Sequence, residues 1–432
     1  MRLWPEPGAR KEEEAMKKLF ALLMALTMTV QLVTPAWADA VEDGPEESTE
    51  AVEVVQETTE PTEETEVPEE TEAETKETEA TEEVTEPEET TEETAEAEPT
   101  EETEEALPDA GVVASGSCGE SVTWVLDEDG VLTISGQGKM PDYSTSSVAP
   151  WYGKRTKITS VVVEPGVTNV GDYAFYACLK LVEVELAEEI TDIGDGAFRD
   201  CPKLKAVEIP EGVKSIGWYA FSGCSGLTSV SIGEGVLSIG NAAFSECSGL
   251  TSITIPEGVT SIGSYAFSGC SSLIRIIIPE GVTSLEYQTL YNCTSLESVT
   301  LPESLLSIAD RYNYGVFENC TSLSSIVIPD SVTSIGSSAF QGCSGLTSVS
   351  IPDGMTSIGE SAFRGCSGLT SVSIGDGVTS IPSYAFYGCS SLTSVSIPES
   401  VTSIGGDAFS DCSGLTSVSI PEGVTSIGSS AF

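Results

Sequence analysis

The sequence predicts a mainly β solenoid, in which short units of one design stack along an axis. Each unit carries the pattern Leu-x-x-Val-x-Ile, which alternates like a strand, and a fixed period in the twenties with this pattern is typical of leucine-rich repeats. No unit has a core of its own, so neighbouring units must supply one. A phenylalanine marks the period of 23 residues on both sides of a short insertion, at Phe175, Phe198, Phe221, Phe244 and Phe267, then Phe317, Phe340, Phe363, Phe386, Phe409 and Phe432.

The repeat predicts one parallel strand per unit across residues 158–432, with twelve units of which the last is incomplete. In the unit that starts at Leu227, Val230 and Ile232 should point inward, and the serines between them should point outward. A turn follows, usually Pro-Glu-Gly, but serine replaces its glycine in three units, so a positive φ is not required there. The rest of the unit forms an irregular or short helical convex side filled by phenylalanine.

A small β cap is expected before the repeats, in residues 111–157. Residues 122–135 alternate and contain the turn sequence Asp127–Gly130, which predicts a hairpin. Cys118 precedes this hairpin, and Ala149-Pro150-Trp151-Tyr152 follows it. The cap should cover the first repeat.

The repeat string resembles a known family. Ile-Pro-x-x-Val-x-x-Ile-Gly-x-x-Ala-Phe-x-x-Cys-x-x-Leu-x-x-Val recurs in register and looks like the BspA-type leucine-rich repeats of bacterial surface proteins. The resemblance implies a secreted or surface-displayed binding protein, with adhesion to matrix proteins or other cells. It implies no catalytic residues and does not name a ligand.

Three segments are expected before the cap. Residues 16–38 have the charged, apolar and small-residue order of a secretory signal, the alternative being an uncleaved membrane anchor. Residues 1–15 do not fit a signal, so translation is expected to start at Met16 rather than upstream. Residues 39–110 should form a disordered acidic spacer, because positions 41–106 hold 30 Asp and Glu and one basic residue, Lys76. The spacer could carry glycans on its threonines.

Charge and composition exclude several functions. The formal net charge is −51 and histidine is absent. A nucleic-acid partner is therefore excluded, as are histidine-based catalysis and histidine-ligated metals. A glycosidase built from paired carboxylates would need a buried acid with a raised pKa, which an exposed edge cannot provide. We expect a non-enzymatic protein without cofactors.

The cysteines are expected to be buried thiols rather than disulfides. Stacked copies of one repeat position would lie ~4.8 Å apart with parallel Cα–Cβ bonds, which does not suit a disulfide. A single file of thiols offers no tetrahedral metal site either. Eleven of the twelve share one repeat position: Cys178, Cys201, Cys224, Cys247, Cys270, Cys293, Cys320, Cys343, Cys366, Cys389 and Cys412.

The candidate binding residues lie where the array is least regular. One strand carries apolar and basic residues at outward positions, and the next unit and the insertion Ala309–Gly315 add tyrosines and another arginine. Tyrosine and arginine often dominate binding energy, although the alternative is an insertion that the fold merely tolerates. The candidates are Ile274, Arg275, Ile277, Tyr287, Tyr291, Arg311, Tyr312 and Tyr314.

Two other sets of outward-facing residues, the hydroxyl rows and the turn carboxylates, each allow a structural interpretation and a functional one. Rows of Thr and Ser on the concave face would hydrogen-bond along the stack, or could dock a polysaccharide. The Asp and Glu residues that share one turn position in successive repeats form a row, which we call the carboxylate file. This row would keep the edge of the solenoid solvated, or pairs of its carboxylates could bind calcium ions between them. The residues of this weaker calcium hypothesis are Glu257, Glu280, Glu303, Asp330 and Asp353.

The sequence therefore predicts an extracellular, surface-associated protein whose partner is an extracellular protein or a cell-surface glycan. No membrane-spanning segment is expected once the signal is removed, and the oligomeric state is not predicted. The last unit stops five residues short of a full repeat, which suggests a chain that continues. The alternative function is a structural spacer that projects a domain encoded further on.

Overall fold

The computed structural model of the protein describes residues 111–308 and 315–432. The expected upstream start (1–15), signal peptide (16–38) and acidic spacer (39–110) lie outside these residues. Part of the insertion, residues 309–314, lies outside them as well. The described residues contain 24 β-strands and one 3-10 helical turn, Tyr152–Lys154, and no α-helix is found among them.

Three strands form the cap. They are β1 (Val112–Ser117), β2 (Val122–Asp127) and β3 (Val131–Gly136). The expected hairpin is the antiparallel pair β2–β3, and β1 adds a further antiparallel strand that the sequence did not predict. β3 then pairs in parallel with the first strand of the repeats, which makes the cap continuous with the repeat sheet.

Most repeats contribute to two series of parallel strands, and three repeats contribute to the second series alone. The first series, whose outward side we call the long-strand face, holds β4 (Ser160–Val163), β6 (Glu183–Leu186), β8 (Ala206–Ile209), β10 (Ser229–Ile232), β13 (Arg275–Ile277), β15 (Ser298–Thr300), β18 (Ser348–Ile351), β20 (Ser371–Ile374) and β22 (Ser394–Ser396). The second series, whose outward side we call the short-strand face, holds β5 (Asn169–Val170), β7 (Asp192–Ile193), β9 (Ser215–Ile216), β11 (Ser238–Ile239), β12 (Ser261–Ile262), β14 (Ser284–Leu285), β16 (Ser307–Ile308), β17 (Ser334–Ile335), β19 (Ser357–Ile358), β21 (Ser380–Ile381), β23 (Ser403–Ile404) and β24 (Ser426–Ile427).

The core is a set of columns that run along the stack. The strands are buried at alternate positions, so Val230 and Ile232 point inward as predicted. Phe221 is fully buried between Phe198 and Phe244, with ring centroids 5.3 Å apart on both sides and nearly parallel planes. Successive rings pack on one another in the same way except at Leu290, which takes the place of a ring, so each repeat depends on both of its neighbours for its core.

The convex side is a chain of turns with its own hydrogen bonds between repeats. The amide of Phe198 donates to the carbonyl of Ala220 in the next unit at 2.7 Å. The strands donate in the other direction, as when the amide of Thr228 donates to Lys205 O in the preceding unit at 2.9 Å. The convex side is therefore a third backbone ladder rather than a helix.

This chain of turns places two residues of most units at positive φ, two positions before and two positions after the repeat phenylalanine. Glu246 (φ 59°) and Gly269 (φ 73°) occupy the second position in successive units. The turn glycines Gly212 and Gly258 are not among the positive-φ residues, as the sequence indicated. Where Ser304 replaces such a glycine, its hydroxyl donates to Val282 O at 2.9 Å.

Glu246→Gly is expected to stabilise the repeats by about 0.5–1 kcal/mol, because glycine adopts the left-handed region without the Cβ clash that glutamate suffers. Urea unfolding of the full chain would measure the gain. Gly269→Ala, the matched change at the same repeat position, should destabilise by a similar amount. Equal stabilities of all three proteins would contradict this role of the left-handed turn.

All twelve cysteines are free and buried, as predicted. The thiol of Cys247 donates to Phe221 O at 3.2 Å, and the same bond recurs along the column. The sequence did not predict this hydrogen bond. Burial raises the pKa of the Cys293 thiol and of the Cys366 thiol to about 12, because a thiolate would be desolvated there.

Candidate binding surfaces

The long-strand face carries rows of hydroxyl side chains. Thr370 Oγ1 donates to Thr347 O at 3.0 Å, and Thr393 Oγ1 donates to Thr370 O at 3.1 Å. The threonine row thus hydrogen-bonds along the stack, which confirms the simpler of the two interpretations. Ser348, Ser371 and the corresponding serines stay exposed in an almost invariant lattice.

The centre of this face differs from the rest. Ile274 and Ile277 are 40% and 60% exposed, and exposed Arg275 lies between Ser252 and Ser298 of the adjoining units. The structure therefore brings three of the predicted residues together on one strand. Among the described residues, Arg275 makes no ion pair and no side-chain hydrogen bond.

Val327 extends this surface, and the sequence analysis missed it. It is 82% exposed and occupies the repeat position of Ile277 two units further on, with Thr300 between them. We call Ile274, Arg275, Ile277, Thr300 and Val327 the central patch. The sequence did contain evidence for Val327, because the C-terminal units carry serine at the repeat position that Ile277 and Val327 occupy.

The predicted tyrosines do not belong to the central patch. Tyr287 and Tyr291 lie in the turn segment after β14, and both are half-buried. Tyr287 packs edge-on against Tyr265, with ring centroids 5.0 Å apart. The other predicted candidates, Arg311, Tyr312 and Tyr314, lie outside the described residues.

The carboxylate file occupies exposed turn positions. The carboxylate of Glu280 accepts the amides of Glu303 and Ser304 at 3.4 Å, and Asp353 accepts the amide of Asp376 at 3.2 Å. These carboxylates therefore satisfy backbone amides of the next unit. Within 111–308 and 315–432 no group of three or more acidic or thiol side chains could hold a metal ion, so the calcium hypothesis gains no support.

The two strand series and the buried columns define a leucine-rich repeat protein. A model of the BspA type leucine rich repeat region, in six copies, matches residues 151–247, 216–315 and 310–432. These segments together span more than half of the chain. The chain therefore belongs to the BspA-type leucine-rich repeat family.

Several solved bacterial structures are similar to the chain. A leucine-rich repeat protein from Bacteroides ovatus is 30% identical, with a TM-score of 0.51, over 72% of this chain and 90% of that one. A leucine-rich repeat protein from Eubacterium ventriosum is 26% identical, with a TM-score of 0.44, over 74% and 94% of the two chains. A leucine rich cell surface protein from Faecalibacterium prausnitzii is 28% identical, with a TM-score of 0.37, over 65% and 94%. No curated protein matches the sequence.

Within residues 111–308 and 315–432, no helix has the length and apolar character that crossing a bilayer requires.

Proposed function

We propose that this protein is exported, is displayed at the bacterial surface, and binds an extracellular protein through the central patch. The proposal rests on the difference between the central patch and the C-terminal units of the same long-strand face. Exposed isoleucine, valine and arginine occupy positions that serine fills in the C-terminal units. A binding scaffold without catalysis also agrees with the repeat fold of the family.

The chemistry of the central patch supports a protein partner. Ile277 and Val327 expose large β-branched side chains on the long-strand face, and such apolar patches are typical of protein contact surfaces. Arg275 brings a guanidinium with free donors into this apolar surface, and arginine is enriched among residues that dominate interface energy. The partner surface should therefore offer a carboxylate beside apolar side chains.

Export is supported by the sequence. Residues 16–38 have the order of a secretory signal, and the acidic segment 39–110 would hold the repeats away from an anchoring surface. The family resemblance supports adhesion to matrix proteins or cells as the class of function.

The triple variant Arg275→Ser, Ile277→Ser and Val327→Ser tests the central patch. Each change installs the residue that C-terminal units carry at that position, so the fold and the melting temperature should be kept. Binding of the full chain to immobilised purified extracellular-matrix proteins should weaken by about tenfold or more, because the apolar contact and the guanidinium are both lost. Surface plasmon resonance would measure the change.

A matched control changes the invariant lattice. Ser348→Ala with Ser371→Ala alters the same face in the C-terminal units and should leave binding unchanged. Equal binding of the triple variant and the wild-type protein would overturn the proposal, and absence of binding by the wild-type protein would favour a spacer role.

A further inference from the structure

A polar cavity of about 400 Å³ opens on the short-strand face, away from the residues of the central patch. Its walls come from three successive units and include Asn241, Ser261, Ser264, Glu286 and Tyr287. Hydroxyl, amide and carboxylate groups thus converge with one aromatic ring in one concave place. Polar groups that converge in a concave place can fix the orientation of a small ligand.

The cavity lies at an interruption of the second strand series. β12 and β14 belong to separate sheets, whereas β9, β11 and β12 are continuous. At the position after the short strand, Gly240 and Gly263 leave the floor free of side chains, and Glu286 replaces the glycine in the next unit. A Cβ at Gly263 would come within 2.4 Å of Asn241 Oδ1, so the open floor requires glycine. The unit that contains β14 therefore differs in sequence from its neighbours at the place where the cavity forms.

Two polar groups of the cavity, on Ser264 and Asn241, make no hydrogen bond to other residues that the structure describes. Ser264 is only 6% exposed, yet its hydroxyl makes no hydrogen bond to any other residue that the structure describes. Asn241 Oδ1 accepts the amide of Ser264 at 3.0 Å, and its NH₂ group makes no hydrogen bond within the same residues. A hydroxyl and an amide donor are therefore available to a ligand.

One repeat position on the short-strand face is occupied in successive units by Trp218, Asn241, Ser264 and Tyr287, and Trp218 provides an aromatic surface at the end opposite Tyr287. It occupies the repeat position of Asn241 and Tyr287, and its indole is 55% exposed. The indole leans over the next unit, since a Cβ at Gly240 would lie 2.8 Å from its Cδ1. Three strand steps separate Trp218 from Tyr287, a distance of about 15 Å. Trp218 lies one unit before the residues that line the cavity, so the two rings span the cavity and the unit beside it, about the length of a short oligosaccharide.

We propose that this groove, from Trp218 to Tyr287, binds a neutral oligosaccharide. Aromatic rings stack on the C–H faces of sugar rings, and the hydroxyl and amide groups between them would bind sugar hydroxyls. No lysine or arginine lines the cavity and Glu286 is acidic, which disfavours anionic glycans. The polar lining disfavours an apolar peptide. The groove and the central patch are separate sites.

Titration of the full chain with neutral hexose oligosaccharides, from disaccharide to hexasaccharide, tests the groove. Affinity should rise with chain length until both rings are covered, and the fluorescence of the exposed Trp218 should shift to the blue. Trp218→Ser and Tyr287→Ser place at these positions the residue found at Ser264 and should each weaken binding by about tenfold.

Two controls separate this site from other effects. Tyr384→Ser removes an aromatic side chain of the turn segment outside the groove and should leave affinity unchanged. The triple variant of the central patch should also bind oligosaccharide normally, so failure of one proposal does not imply failure of the other. No binding by the wild-type protein, binding of sulfated glycans alone, or full affinity in Trp218→Ser would each overturn the proposal.

Discussion

Raising the pH above about 9 in a reducing buffer is expected to destabilise the repeats steeply. In the unfolded chain a thiol ionises near pH 9, whereas the pKa of eight thiols of the column is raised in the folded state. Burial is the main cause for seven of them, and a side-chain hydrogen bond with Cys412 is the main cause for Cys389. The folded state therefore keeps protons that the unfolded state loses. The stability contributed by the neutral thiols is fully present below pH 9 and is lost as the pH rises towards 12. The eight are Cys201, Cys247, Cys270, Cys293, Cys320, Cys343, Cys366 and Cys389.

Each such thiol should lower the free energy of unfolding by about 1.4 kcal/mol per pH unit in this range. Urea unfolding at a series of pH values would give the slope. The double variant Cys293→Ala and Cys366→Ala should reduce that slope by about 3 kcal/mol per pH unit, because two of the ionising groups are gone. Identical slopes in the variant and the wild-type protein would show that these thiols are not the cause.

Phe221→Ala is expected to lower the free energy of unfolding by about 3–5 kcal/mol, the usual effect of emptying a fully buried phenylalanine site. The ring contacts Phe198 and Phe244 on either side. The cavity would therefore interrupt the column in both directions. Thermal and urea unfolding of the full chain would measure the loss.

Phe221→Leu is the matched control, since Leu290 already fills the same repeat position and is fully buried. A leucine keeps most of the volume, so this variant should lose about 1.5 kcal/mol or less. A similar loss in both variants would mean that the column does not depend on filled volume.

Much of the fold could be predicted because each residue pattern recurs in many repeats. The inward positions of Val230 and Ile232, the buried cysteines and the hairpin of the cap follow from alternation and period. The hydrogen bonds between convex turns could not be predicted, because backbone groups leave little trace in side-chain identity. The sequence indicates these turns only through the frequent Gly, Asn or Asp two positions after the repeat phenylalanine, as at Gly269 and Asn292, where φ is positive.

The candidate sites were predictable in part. Arg275 stood out because a single basic residue interrupts the serine row, whereas Val327 was hidden in a run that looks like an ordinary strand core. Tyr287 was identified as a candidate, but its place beside the cavity rather than in the central patch was not predicted, because its position on the turn segment depends on how the unit folds back. The groove beside Trp218 depends on missing side chains and an interrupted sheet, which only coordinates reveal.

The three backbone ladders that join neighbouring units also determine how the array responds to pulling. All of these bonds run along the stacking direction, so tension applied between the two ends loads them one layer at a time rather than together. Units would peel away singly, each releasing 23 residues. Every layer that opens would lengthen the tether by about 75 Å. A protein that joins a bacterium to another surface would thereby absorb shear through successive small extensions.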